Sequence, residues 1–163
     1  MEIDQIIIRS YQRHLALDFK TINEQWIERM FTLEDEDKNI LNNPEQQIIN
    51  RGGVILFAEH SELGVIGTSA LIKRDNGYFE LTKMGVLETA RGLKVGESLL
   101  QAVLAKSKAM NIEHLFLLTN KKCAAAIHLY EKCGFEHSKF IMQRFASSYQ
   151  RCNVAMLFSD NVE

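Results

Sequence analysis

The spacing of apolar residues changes several times along the chain, and each change marks a predicted element. Residues 3–11 carry the β-branched run Ile6-Ile7-Ile8 and read as a first strand. From Arg13 to about Met30, Leu15, Phe19, Ile22, Trp26 and Ile27 recur at three- and four-residue steps, which predicts an amphipathic helix. Residues 33–41 read as a second short helix with acid at its start, where the helix dipole favours it. Asn43-Pro44 places a capping residue before proline and opens a third helix to about Asn50, ended by Arg51-Gly52-Gly53. Strands follow at 54–59 and 64–73, and Asp75-Asn76-Gly77 turns the chain into a strand over 78–86. A helix over 93–110 is expected from Leu99/Val103 and Leu100/Leu104. Leu115-Phe116-Leu117-Leu118 reads as a strand buried on both faces. Residues 123–133 read as a helix closed by Gly134-Phe135, and two strands, 136–142 and 153–158, finish the pattern around a loop at 145–151. The order predicts one α/β (α+β) domain over residues 1–163, with helices flanking a mixed, mostly antiparallel sheet.

Composition narrows the function classes. The 163 residues bury a core without disulfide or metal staples, and 46% hydrophobic with 25% charged residues is a globular balance. Nineteen Lys+Arg against 21 Asp+Glu leave a net charge of −2, too little positive charge for phosphate-driven nucleic-acid binding, and the mild acidic balance leans slightly toward a cationic ligand. No apolar run approaches the roughly 20 residues of a membrane span, and the first residues do not pattern as a secretory signal, so no membrane partner and a cytoplasmic location are expected. Three cysteines without CxxC spacing suit a reducing compartment. Cys123, His128 and Cys133 lie five apart on one predicted helix, each turned about 140° from the last, so they share no face and no metal site is expected.

The chemistry concentrates in two stretches. In the first, a strand ends at Val86, a glycine turn follows through Arg91-Gly92-Leu93-Lys94-Val95-Gly96, and a helix begins with Glu97-Ser98. Free N–H groups and the positive end of that helix suit an anion, and Arg91 and Lys94 add charge. The turn is neither GxGxxG nor GxxxxGK[ST]. In the second, Leu117-Leu118-Thr119-Asn120 ends the buried strand, and Ala126-Ile127-His128-Leu129-Tyr130-Glu131-Lys132-Cys133-Gly134-Phe135 follows.

Together these stretches resemble the GNAT (Gcn5-related N-acetyltransferase) superfamily, whose pyrophosphate loop, (R/Q)xxGx(G/A), and A-I-x-L-Y-x-K-x-G-F helix end appear in order and at the family's spacing. The specific likeness covers about residues 78–135, the expected acetyl-CoA-binding core. It implies the GNAT fold and transfer of an acetyl group from acetyl-CoA to a primary amine by direct attack in a ternary complex. It places Met84, Gly85 and Val86 at the acetyl and pantetheine parts, residues 91 to 98 (Arg91, Gly92, Leu93, Lys94, Val95, Gly96, Glu97, Ser98) at the pyrophosphate, and Asn120 beside the groove. Tyr130 matches the tyrosine that protonates the departing thiolate; its other reading is a core-packing ring. Acceptors of this kind are small-molecule or peptide amines, and homodimers are common in the family.

The chain departs from the family in its loop and at the base. Lys94 stands where the first motif glycine is usual, and Leu118 and Cys123 replace the glutamate and asparagine that serve relatives acting on ribosomal N-termini. Glu80 is the replacement candidate for the base, since strand alternation puts it on the same face as Thr82, Met84 and Val86; the other reading is an exposed edge charge opposite Lys73 or Arg74 across the hairpin. Glu34-Asp35-Glu36-Asp37 reads as a solvated helix start or as the entrance for a cationic amine. Tyr11, Trp26 and Phe31 belong to the core or the acceptor pocket, and Ser147-Ser148-Tyr149 lies where the family's loop borders the acceptor. Two other readings keep the fold or the turn without this chemistry: a CoA-binding regulatory module, and a nucleotide binder using the 91–98 turn.

Overall fold

The structure is a computed structural model and describes residues 6–159. Its strands are β1 (Ile6–Ser10), β2 (Val54–His60), β3 (Gly64–Lys73), β4 (Tyr78–Val86), β5 (His114–Thr119), β6 (Phe135–His137) and β7 (Val154–Phe158). They form one sheet in the order β1-β2-β3-β4-β5-β7-β6, with every neighbour antiparallel except β4 and β5. Helix α1 (Ala16–Met30) buries Phe19, Ile22 and Ile27 at the predicted spacing, followed by α2 (Asp35–Asn42) and the single turn α3 (Pro44–Gln47). Asn43 does not cap α3; its side-chain amide donates to the Asn39 carbonyl at 3.0 Å. Helix α4 (Val95–Ala109) and α5 (Ala124–Lys132) follow the expected periodicity.

Side-chain alternation divides the core between the two faces of the sheet. Ile55, Phe57, Ala70 and Ile72 pack under α1, α2 and α3, whereas Leu56, Leu71, Leu81 and Leu117 pack under α4 and α5. The strand expected over 136–142 stops at His137, and α6 (Lys139–Phe145) takes its place. Ser138 caps it by accepting from the Ile141 amide at 3.1 Å, and Ile141 and Phe145 cover Phe116. The apolar run Phe140-Ile141-Met142 suits a strand or a helix, and the cap with its waiting apolar face decides the matter.

The feature that positions everything downstream is a β-bulge in β4. Thr68 pairs with Gly85 and Ala70 with Thr82, so Lys83 and Met84 together oppose Ser69. Lys83 takes φ 53°, the left-handed region. The bulge breaks the regular alternation: Gly85 faces α1, and Met84 packs with the cluster under α4 and α5. Glu80, opposite Ile72, therefore does not share a face with Met84 and Val86 as regular pairing predicts. Just short of the bulge β4 and β5 part company, since their pairing ends at Leu81–Leu117 while both strands continue.

Three segments are tied at this point by a buried charge cluster. The Lys83 ammonium donates to Asp37 Oδ1 at 2.8 Å and to the Tyr149 hydroxyl at 2.9 Å. Arg151 donates to both oxygens of Asp37, at 2.6 and 2.7 Å. Glu34 accepts from the Gln150 and Arg151 amides and shares a capping box with Asp37. Burial by itself would raise the Asp37 carboxyl, but hydrogen bonding by Arg151 and the Lys83 charge outweigh it and hold it at about 2. The helix start expected to be solvated is thus engaged at both ends, with Asp37 fully buried.

Two predictions follow from this packing. Gly85→Ala sets a Cβ against Trp26, 2.8 Å from Nε1 and closer still to Cδ1, and the indole is pinned by its bond to Asn23 at 2.9 Å. Urea unfolding is expected to show a loss of about 1–3 kcal/mol, the usual cost of overpacking. The second concerns acid. Because Asp37 titrates below its ordinary value when folded, its contribution is complete above about pH 4 and disappears as pH falls toward 2. Asp37→Asn is expected to remove about 2 kcal/mol of pH dependence from that window in unfolding curves taken between pH 2 and 5.

Candidate active site

The parting of β4 and β5 opens a cavity of about 540 Å³. One wall is the 81–86 segment of β4, the opposite wall is 117–120 of β5, and α5 and α1 close the ends. Met84, Gly85, Val86, Arg91, Gly96, Asn120 and Tyr130 all line it, so the structure brings together residues drawn from four separate elements. The remaining loop residues sit differently. Leu93 and Val95 pack into the apolar cluster beneath the turn, Gly92 and Lys94 are exposed, and Glu97 pairs with Lys132 at 3.1 Å.

The turn before α4 presents backbone donors as the sequence suggested, over a shorter span. The Arg91 amide donates to the Glu88 carbonyl and the Ser98 amide to the Lys94 carbonyl, so both are already used. Among the described residues, the six amides of 92–97 donate to no protein acceptor. Gly92 lies at φ +89°, where a side chain is strained. A Cβ on Gly96 would meet only Leu129, at 4.0 Å, so packing does not demand glycine; a side chain there would instead fill the space above the amides. Lys94 adopts φ 57°, ψ 31°, the left-handed geometry that glycine takes freely and lysine takes at a cost of about 1–2 kcal/mol. The loop keeps its turn despite the lysine, and the donor row fits a diphosphate.

Tyr130 is buried against Phe135, and its hydroxyl makes no hydrogen bond among the described residues. Burial raises its pKa, with a smaller push from Cys123, so the phenol keeps its proton throughout the physiological range. The core-packing reading of this residue holds, and the residue also lines the cavity. Asn120 has a fixed side chain, donating to the Arg151 carbonyl at 2.6 Å and accepting from the Lys122 amide at 2.9 Å. It ties the end of β5 to the loop before β7.

Glu80 is absent from the cavity wall. It is buried on the far side of the bulge, and Arg74 donates to its Oε1 from Nε at 3.0 Å and Nη2 at 2.6 Å. The cross-hairpin pairing with Arg74 holds, although buried and not at an exposed edge. Instead of Glu80, the strand sends Lys83 to the cavity, with Tyr149 and Arg151 beside it. Burial lowers the Lys83 pKa, and the Asp37 charge opposes that. Sequence reading passed over Lys83 and Arg151; a lysine amid the apolar end of a strand was the one available signal. Among the described residues no three His, Cys, Asp or Glu side chains group as a metal site, and no helix is long and apolar enough to cross a membrane.

Known proteins resemble this chain in sequence and fold. The Acetyltransferase (GNAT) family matches residues 11–135. A protein described as an IAA acetyltransferase from Azospirillum brasilense is 38% identical over 72 residues, and the chain spans about half the length of that relative (47%, and 44% of this chain). A GNAT-family acetyltransferase structure from Staphylococcus aureus superposes with a TM-score of 0.83 at 27% identity, covering 94% of this chain and 98% of that one. A GNAT acetyltransferase from Brucella melitensis, solved in complex with acetyl-CoA, shares the fold with a TM-score of 0.69 at 15% identity, over 97% and 90% of the two chains. The split sheet, the row of donors before α4 and the family match converge, and the chain belongs to the GNAT acetyltransferase family.

Proposed function

We propose that this protein is an acetyl-CoA-dependent N-acetyltransferase that acts on a primary amine by direct transfer in a ternary complex. The observation that carries this reading is the run of six amides at 92–97 without a partner among the described residues, beside a cavity that Gly96 and Tyr130 both line. Acetyl-CoA supplies an acyl group activated as a thioester. Residues 92–97 would hold its diphosphate, with Arg91 adding charge, and the Met84–Val86 backbone would hold the acyl end.

Tyr130 holds a proton on its hydroxyl oxygen at neutral and mildly alkaline pH, which fits it to donate toward a leaving thiolate. Among the described residues the cavity wall offers no carboxylate to act as a base. Its cations Lys83, Arg29 and Arg151 are paired with Asp37, Glu34 and Glu88, so the acceptor amine would give up its proton to solvent before attack. Glu80 then belongs to the scaffold. The rivals, a CoA-binding module without catalysis and a nucleotide binder, differ from this reading in what they bind and turn over.

Thermal unfolding with acetyl-CoA and, separately, ATP tests the ligand. Acetyl-CoA at about 100 times its dissociation constant is expected to add near 2.7 kcal/mol, several degrees in Tm, and ATP much less. Stabilisation by ATP alone would favour the nucleotide reading. Paired variants test the roles: Tyr130→Phe is expected to lower kcat on the order of 10²-fold, whereas Glu80→Gln lowers the urea midpoint and leaves kcat/KM within about threefold. A larger loss of kcat in Glu80→Gln would return the base to Glu80.

A further inference from the structure

The cavity opens toward solvent through a second, outer cavity of about 960 Å³, formed by the segment between α1 and α2 and by residues 147–151. Five residues line both: Arg29, Met30, Phe31, Lys122 and Arg151. Anything that reaches the acyl end from this side passes through that junction. Its composition is three cations around an aromatic and a thioether.

The charges at the junction are unequally compensated. Arg151 and Lys83 are matched by Asp37 and Glu34, and Arg29 has Glu88 at 3.5 Å. Lys122 is exposed and pairs with no carboxylate among the described residues; its ammonium sits 5.5 Å from the centre of the Phe31 ring, and the Arg151 guanidinium lies 5.8 Å from the same ring. A positive group held over an apolar ring, with a half-buried arginine nearby, recognises a carboxylate attached to an apolar body.

Resting on the acetyltransferase reading above, we propose that the acceptor is an amine that carries a carboxylate and an apolar side chain, the chemistry of an apolar amino acid, with Lys122 taking the carboxylate and Phe31, Met30 and Trp26 the apolar body. The amine nitrogen forms a bond to the thioester carbonyl carbon, the carbon–sulfur bond breaks, and the proton lost by nitrogen balances the one gained by sulfur. The opposite charge class is the direct competitor. Asp35 and Glu36 line the outer cavity and suit a polyamine, but neither lines the inner one.

The test compares matched acceptors with acetyl-CoA: phenylalanine, phenylalaninamide and phenethylamine; leucine, leucinamide and isoamylamine; and spermidine. The expected result is a kcat/KM at least tenfold higher for the acids than for their amides, falling to a ratio near one in Lys122→Gln and recovering in Lys122→Arg. A ratio near or below one in the wild-type protein, a preference for spermidine, or a ratio unmoved by Lys122→Gln overturns the assignment. Stabilisation by acetyl-CoA without turnover of either acid also overturns it, while leaving the coenzyme site standing. Failure of acetyl-CoA to stabilise the protein removes the functional reading itself.

Discussion

The buried ion pair between Lys83 and Asp37 is the contact on which the site depends. A lysine ammonium moved out of water without a partner costs several kcal/mol, so the bulged residue of β4 can turn inward only where a carboxylate waits. Asp37 is that carboxylate, and it is held there by the first turn of α2 and by the two hydrogen bonds of Arg151. One pair therefore fixes three things together: the left-handed backbone at Lys83, the position of α2, and the segment that leads into β7. The cavity lies where the pairing of β4 with β5 stops, just short of the bulge.

A second constraint acts at the opposite end of the cavity. Helix α4 begins against the sheet, where Val95, Leu99 and Ala58 anchor it, and its first donors have no acceptor among the described residues. Backbone amides carry the anion chemistry there, so the side chains of the loop are comparatively free to vary. Lys94 illustrates the point: it departs from the family's glycine, but it pays in local strain and leaves the donor row in place.

The two ends differ in what they can specify. Amides presented by a helix start suit any diphosphate, whereas the acceptor end is built from particular side chains on α1, α2 and the segment before β7. Long-range pairs such as Arg151–Asp37 and Lys83–Tyr149 join residues 114 and 66 positions apart. A site assembled from such distant parts gives selectivity to segments whose local patterns reveal little.

What the chain by itself determined is local and periodic. Helical spacing places α1, α4 and α5, the Asp75-Asn76-Gly77 turn joins β3 to β4, and the two motifs mark the donor loop and Tyr130, because each of these depends on residues near in sequence. Where two local readings were equally good, tertiary contacts chose between them. Residues 139–145 became a helix because Ser138 caps it and Phe116 needs cover, both invisible to alternation alone. The bulge set Glu80 and Met84 on different faces because strand periodicity assumes one residue per pair, and only the register with β3 shows the extra one. Asp37 looked solvated for a similar reason: its partners, Lys83 and Arg151, lie 46 and 114 residues away, and a charge's burial depends on what the fold brings to it.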